Sequence, residues 1–163
     1  MNNKMKEEIY SKFPLISYEE LHENVKYEEV YSKVHVSIFE KVLTIDEAEK
    51  ELSGTDYIGN KKKFIRNLQN LLDELIQSET FIEIISKECD ENGNEIISFY
   101  KRGKSDLDDL ILKAKENYLK IVANEEGFIF ELVFDLSLIF HVLKDVNQKE
   151  IEESIIKNGL YIL

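Results

Sequence analysis

Three histidines, one cysteine and several clusters of charge are the groups in this sequence able to carry chemistry. His22, His35 and His141 share no His-x-x-x-His spacing, and no Cys-x-x-Cys accompanies them, so no zinc motif is written and no metal ligand is assigned. His141 lies in an apolar run and reads as a core histidine with one hydrogen bond. His35 stands among valines in a strand-like run and reads the same way. His22 follows Glu19 and Glu20 on a short helix, which places it at the surface. Cys89 sits between Glu88 and Asp90, whose carboxylates disfavour a thiolate and so argue against a nucleophile. The adjacent pairs Asp108-Asp109 and Glu125-Glu126 could hold Mg²⁺ or Ca²⁺, but nothing around them has the spacing of a calcium loop. No Gly-x-Ser-x-Gly, dinucleotide fingerprint or kinase signature occurs. The expectation is therefore a protein that is not an enzyme, with no catalytic residues and no cofactor.

Charge gives more. Among 163 residues there are 33 acidic and 21 basic side chains, a formal net charge of −12. The excess is uneven. Residues 1–56 carry 13 acidic against 7 basic groups (−6), residues 57–104 carry 8 against 8 (zero), and residues 105–163 carry 12 against 6 (−6). An acidic chain repels nucleic-acid backbones and anionic membranes and attracts basic proteins. Carboxylates at Glu19, Glu20, Glu23, Glu28 and Glu29, with Tyr27 and Tyr31 between them, form one candidate partner-binding set; Asp106, Asp108 and Asp109 form a second. A tyrosine ring beside carboxylates offers both buried area and a hydrogen bond to a partner. Part of this acidity has a simpler role, because Glu19, Glu20, Asp46, Glu47, Asp106 and Asp108 fall in the first turns of predicted helices, where carboxylates suit the dipole. Lys61, Lys62, Lys63 and Arg66 break that rule at the predicted start of a long helix, and they make a weak anion-binding candidate there.

These groups must be positioned by a scaffold that the local patterns outline. Ser17-Tyr18-Glu19-Glu20 and Thr44-Ile45-Asp46-Glu47 are capping boxes, the first with Ile16 and Leu21 as a hydrophobic staple. Gly54 supplies a helix stop after Leu52. Residues 61–78 place Phe64, Ile65, Leu68, Leu71, Leu72, Leu75 and Ile76 on one helical face. Residues 106–123 repeat that spacing and predict another helix. Asn147 starts a last helix that Asn158-Gly159 ends. The runs 81–88 and 95–101 flank Asn92-Gly93, which predicts a β-hairpin at about 81–101. Alternating valines and isoleucine predict a strand over about 33–43, and alternating Phe128, Phe130, Leu132 and Phe134 predict a central one. Residues 136–143 fit strand or helix, and Leu160–Leu163 fit a short final strand. The fold class expected is α+β, an antiparallel sheet packed against amphipathic helices, in a single domain over 1–163; the alternative is an all-α bundle.

The longest apolar run, Phe128 to Leu143, has 16 residues and contains Glu131, Asp135 and His141, whereas a membrane span needs about 20 apolar residues. Residues 1–8 lack the apolar core of a secretion signal, and the lone cysteine fits a reducing compartment. Cytoplasmic location is the resulting expectation. Small size, strong acidity, eight tyrosines and no catalytic motif together point to a binding protein that neutralises a basic partner. The form expected is a bacterial immunity or antitoxin-type protein covering a cationic toxin such as a nuclease. A phage or mobile-element inhibitor that mimics DNA, and a nucleotide- or anion-binding regulatory enzyme built on Lys61–Arg66, are the alternatives.

Overall fold

Local signals fix the helix starts. In the computed structural model, which describes residues 3–87, 89–114, 118–133 and 136–163, Ser17 and Thr44 both act as N-caps. Ser17 Oγ accepts from Glu20 N at 3.2 Å and Glu20 Oε2 accepts from Ser17 N at 3.1 Å. Glu47 repeats the exchange with Thr44. Ile16 and Leu21, the staple pair, are fully buried. The side chains of Tyr18, Glu19, Thr55, Lys87 and Val133 lie outside those described.

The helices are α1 (Asn3–Lys12), α2 (Tyr18–Glu23), α3 (Tyr27–Val30), α4 (Ile45–Glu51), α5 (Gly54–Leu75), α6 (Leu107–Lys113) and α7 (Gln148–Lys157). The strands are β1 (Tyr31–Ser37), β2 (Thr80–Lys87), β3 (Ile96–Gly103), β4 (Leu119–Ala123), β5 (Phe128–Val133), β6 (Ser137–Leu143) and β7 (Tyr161–Ile162). The strands form one sheet in the order β3-β2-β4-β5-β6-β1-β7, with every pairing antiparallel. The fold is α+β, and the all-α alternative is excluded.

Period-two alternation sends the two sides of each strand into different cores. Phe128, Phe130, Leu138, Phe140 and Val142 join Phe64, Leu68, Leu71 and Leu72 of α5, with Ile111 of α6 and Ile151 and Ile155 of α7. Ile129, Val122, Ile82 and Ile84 face the other way, onto Ile9, Phe13, Ile16, Leu21 and Tyr27 of the N-terminal segment. The sheet is therefore covered on both faces: α1–α3 form one layer, and α5–α7 form the other.

The hairpin expected at 81–101 is present as β2 and β3, in register from Thr80↔Gly103 to Lys87↔Ile96. Gly93 takes φ +81°, and Asp90 accepts from Asn92 N and Asn94 N at 2.8 and 2.9 Å. β5 and β6 pair antiparallel from Phe128↔Val142 to Val133↔Ser137, which resolves the strand-or-helix choice for 136–143 in favour of strand; Phe134 and Asp135 lie outside the described residues. Another tight turn joins β4 to β5 through Gly127, where φ is +78° and an added Cβ would lie 2.5 Å from Val146 Cγ2. Only glycine fits that approach.

Three boundaries depart from expectation. The helix expected over 106–123 stops at Lys113; Leu119–Ala123 is a central strand buried along its length. Leu107, Leu110 and Ile111 do follow the helical period, but Tyr118, Ile121 and Val122 continue it only by coincidence. A five-residue run with two β-branched residues suits a strand covered on both faces. The strand expected over 33–43 is Tyr31–Ser37 and gives way before residue 38. The long helix begins at Gly54, not Lys61. Gly54 itself, at φ +65°, turns the chain from α4 straight into α5. Gly59 and Asn60 are carried inside the helix, an example of tertiary packing overriding weak propensity.

Candidate functional site

Charged groups are expensive inside a sheet and require partners. Lys120 on β4 and Glu131 on β5 are directly opposed cross-strand neighbours on the face covered by α1–α3. Lys120 is 1% exposed and Glu131 is completely buried. His141, also completely buried, lies one strand further on, diagonal to Glu131 across β5 and β6. His22 reaches down from α2.

The four groups meet at the Glu131 carboxylate. Its Oε2 accepts from His22 Nε2 at 2.9 Å and from His141 Nε2 at 2.8 Å. Its Oε1 accepts from the Tyr118 hydroxyl and lies 3.5 Å from Lys120 Nζ. Lys120 also donates to Ile16 O at 2.6 Å. On the far side of His141, Nδ1 accepts from Tyr27 Oη at 2.7 Å. Because the Glu131 carboxylate can only accept, His141 carries a proton on Nε2, and with the ring neutral its Nδ1 is the acceptor for Tyr27.

Electrostatics agree with that assignment. Burial pushes the Glu131 carboxyl up, but donation from His141 and the Lys120 charge outweigh it and hold the group down at about 2. Burial pushes His141 below its usual range, which keeps the ring neutral. Burial also lowers Lys120, against the pull of Glu131. Tyr27 is raised by burial and by the Glu131 charge, so it acts as a donor rather than a phenolate.

The network fastens the N-terminal layer to the sheet. Leu15 has φ +59°, a costly value for a residue with a Cβ. The carbonyls on either side of it are both held by sheet residues: Pro14 O by Tyr31 Oη at 2.5 Å, and Ile16 O by Lys120. The tertiary contacts over-determine this backbone and so sustain its strain.

Three donor atoms here suit a cation. His22 Nε2, His141 Nε2 and a Glu131 carboxylate oxygen all lie within 4.8 Å of one another. His22, 22% exposed at its side chain, forms the solvent edge of the cluster.

Acid is expected to loosen the metal-free network. The unfolded chain protonates its histidine near 6.5, before the depressed His141 of the folded state does, so stability declines below that pH. The contribution of Glu131 is complete above 4.5 and disappears as pH falls toward about 2. Urea midpoints of EDTA-treated protein should therefore fall in two stages, and His141→Gln should shrink the upper one, leaving the smaller part that the depressed His35 contributes. A midpoint constant between pH 7 and pH 5 would contradict this reading.

The residues singled out in the sequence are distributed differently. His141 makes two hydrogen bonds where one was expected. His22 is engaged with Glu131 rather than exposed, and His35 is exposed rather than in the core. Tyr27 and Tyr31 are 8% and 1% exposed, so their rings belong to the core and offer no partner surface. Glu23, Glu28 and Glu29 are exposed and Glu20 is half-buried, all in the α2–α3 layer. Asp106, Asp108 and Asp109 are exposed beside α6, on the opposite face of the sheet. The two acidic sets, as far as their side chains are described, therefore lie on opposite faces of the sheet and do not converge. Lys61, Lys62, Lys63 and Arg66 lie in the interior of α5, past its first turn, so the dipole argument for an anion site there falls away. Lys61 stacks on the Tyr57 ring at 5.4 Å. Of the Glu125-Glu126 pair, Glu126 is committed to Ser78, accepting from its N and Oγ at 2.7 Å each.

Glu131, Lys120 and Tyr118 were missed. The available signal was a lone carboxylate and a lone ammonium inside otherwise apolar runs, each of which demands a buried partner.

Among the described residues no helix is long and apolar enough to cross a membrane. No protein-family model matches the sequence, and no curated protein or solved structure matches it either.

Proposed function

We propose that this chain is a protein-binding inhibitor module of the bacterial immunity or antitoxin type, which neutralises a basic partner such as a nuclease toxin. The observation that carries the reading is the coincidence of exposed apolar and acidic side chains between β1 and α5. Val42 and Ile45 are 74% and 80% exposed. Glu40, Asp46 and Glu49 are exposed around them in sequence. Residues 40–51 hold five carboxylates (Glu40, Asp46, Glu47, Glu49, Glu51) against Lys41 and Lys50, a balance of −3.

Apolar anchors within a charged rim are the anatomy of a protein-binding surface. Carboxylates in the rim favour a cationic partner, speed its approach and select against acidic ones. This segment takes over the role first expected of α2–α3 and α6, because those two sets stand on opposite faces and cannot engage one partner surface together.

The test is a pull-down from the source cells at low and high salt, followed by titration of the recovered protein with purified components. A basic protein that binds more weakly as ionic strength rises, and whose toxicity co-expression of this chain relieves, is the expected result. Glu40→Lys/Asp46→Lys/Glu49→Lys should abolish both effects while leaving the circular dichroism spectrum unchanged. Recovery of no basic protein at low salt would remove the reading. Undiminished binding by the triple variant would displace the surface from this segment.

A further inference from the structure

We propose that His22, Glu131 and His141 form a binding site for one divalent first-row metal ion of the zinc class. Two imidazole nitrogens and one carboxylate oxygen are a ligand set that suits zinc, with a further position left for water. The three donor atoms already converge within 4.8 Å. Glu131 and His141 are carried on neighbouring central strands and are completely buried, so two of the three ligands are rigidly placed. His22, 22% exposed at its side chain, closes the set from α2 on the solvent side, which supplies an entry path.

The division of labour at Glu131 supports this. Oε1 is engaged by the Tyr118 hydroxyl and lies beside Lys120, whereas Oε2 accepts from the two imidazoles. The carboxylate thus presents one oxygen to the ion while the other is held in place. The outer groups fit as well. With a metal on His141 Nε2 the ring proton would sit on Nδ1, and that N–H would donate to Tyr27 Oη at 2.7 Å. A ligating histidine ordinarily makes such a bond through its second nitrogen.

Charge provides a separate line of support. A divalent ion beside Lys120 would be costly unless negative charge compensated it. The carboxylates acting on Lys120 are Glu131, Glu95 and Glu20. The negative charge of these groups offsets the ammonium. Lys33 stands apart, 4.9 Å from the centre of the Tyr27 ring.

The experiment titrates EDTA-treated full chain with ZnCl2 by calorimetry and with CoCl2 by visible absorption. A Cys89→Ser background is used because the exposed thiol would itself take zinc. One equivalent of zinc, a raised melting temperature and Co²⁺ d–d bands of a low-coordinate nitrogen–oxygen site are expected. His22→Ala lies at the edge of the cluster and should fold; it should weaken zinc by roughly 100-fold or more, beyond the ~10–100-fold expected of the outer-sphere variant Tyr27→Phe. His35→Ala should bind as the parent does. His22→Cys should restore binding and add a sulfur-to-cobalt charge-transfer band in the near ultraviolet. If the parent binds no zinc, or if His22→Ala binds as tightly as the parent, the cluster is a hydrogen-bonded fastening only and the proposal fails.

Discussion

Glu131→Leu is expected to destabilise the protein by about 3–5 kcal/mol, as loss of one partner from a buried ion pair does. The size follows from what remains. Lys120 is 1% exposed, and among the described residues its ammonium would keep Ile16 O as its one hydrogen-bond partner. His22, His141 and Tyr118 would each lose the oxygen to which they donate. Lys120→Met should also destabilise, because it removes the only cation in direct contact with a fully buried carboxylate among the described residues. The double variant Lys120→Met/Glu131→Leu should recover much of the loss, since it removes both charges together, and residues in contact typically couple by about 0.5–3 kcal/mol. Denaturant titrations of the EDTA-treated variants provide the cycle. A cost below about 1 kcal/mol for Glu131→Leu would mean that water reaches Lys120, and would remove the polar network from any role in holding α1–α3.

That network also marks where the sequence stopped being legible. Signals that act within a few residues came through: Ser17 and Thr44 cap helices as their boxes specify, Asn92-Gly93 turns a hairpin, and Asn158-Gly159 ends α7 with Gly159 at φ +73°. Alternation through Phe128, Phe130 and Leu132 likewise identified a strand covered on both faces. Failures arose where long-range pairing decided the outcome. Leu119–Ala123 became a strand because β2 and β5 flank it, which no periodicity within 106–123 reveals. The polar site is non-local to an extreme: His22 and Glu131 are 109 positions apart, and Tyr27 and His141 are 114. Their meeting depends on a sheet order that places β4, β5 and β6 side by side beneath α2 and α3. What a single sequence did offer was the oddity of Lys120, Glu131 and His141 within apolar runs. Taken as a set with a shared need for partners, those three outline the buried part of the cluster from sequence alone.

The opposite face of the same strands offers the second large effect. Phe140→Ala should cost about 3–5 kcal/mol, the range for removing a buried phenylalanine from a packed core. Phe140 is completely buried, paired across the sheet with Phe130 on β5 and Val34 on β1, and its ring meets Phe128 edge-on at 5.4 Å between centroids. All three neighbours are fixed by sheet register, so the space left behind has little freedom to collapse, and the cost belongs at the upper end. The more informative result is how the loss is shared. Tyr27 and Tyr31 are buried in the α1–α3 layer, so in a background with Tyr57, Tyr100 and Tyr161 replaced by phenylalanine the tyrosine fluorescence is weighted to that layer, with no tryptophan to obscure it. Phe140 points into the α5–α7 layer, yet β6 also carries His141 into the polar network on the other side. Both layers therefore depend on the same strand. Tyrosine fluorescence and far-ultraviolet circular dichroism should show the same lowered midpoint in Phe140→Ala. Were the tyrosine signal to melt at the parent's midpoint while the helical signal moved, the two layers would be unfolding independently, and the buried ion pair would be anchoring the N-terminal segment to a sheet that no longer needed it.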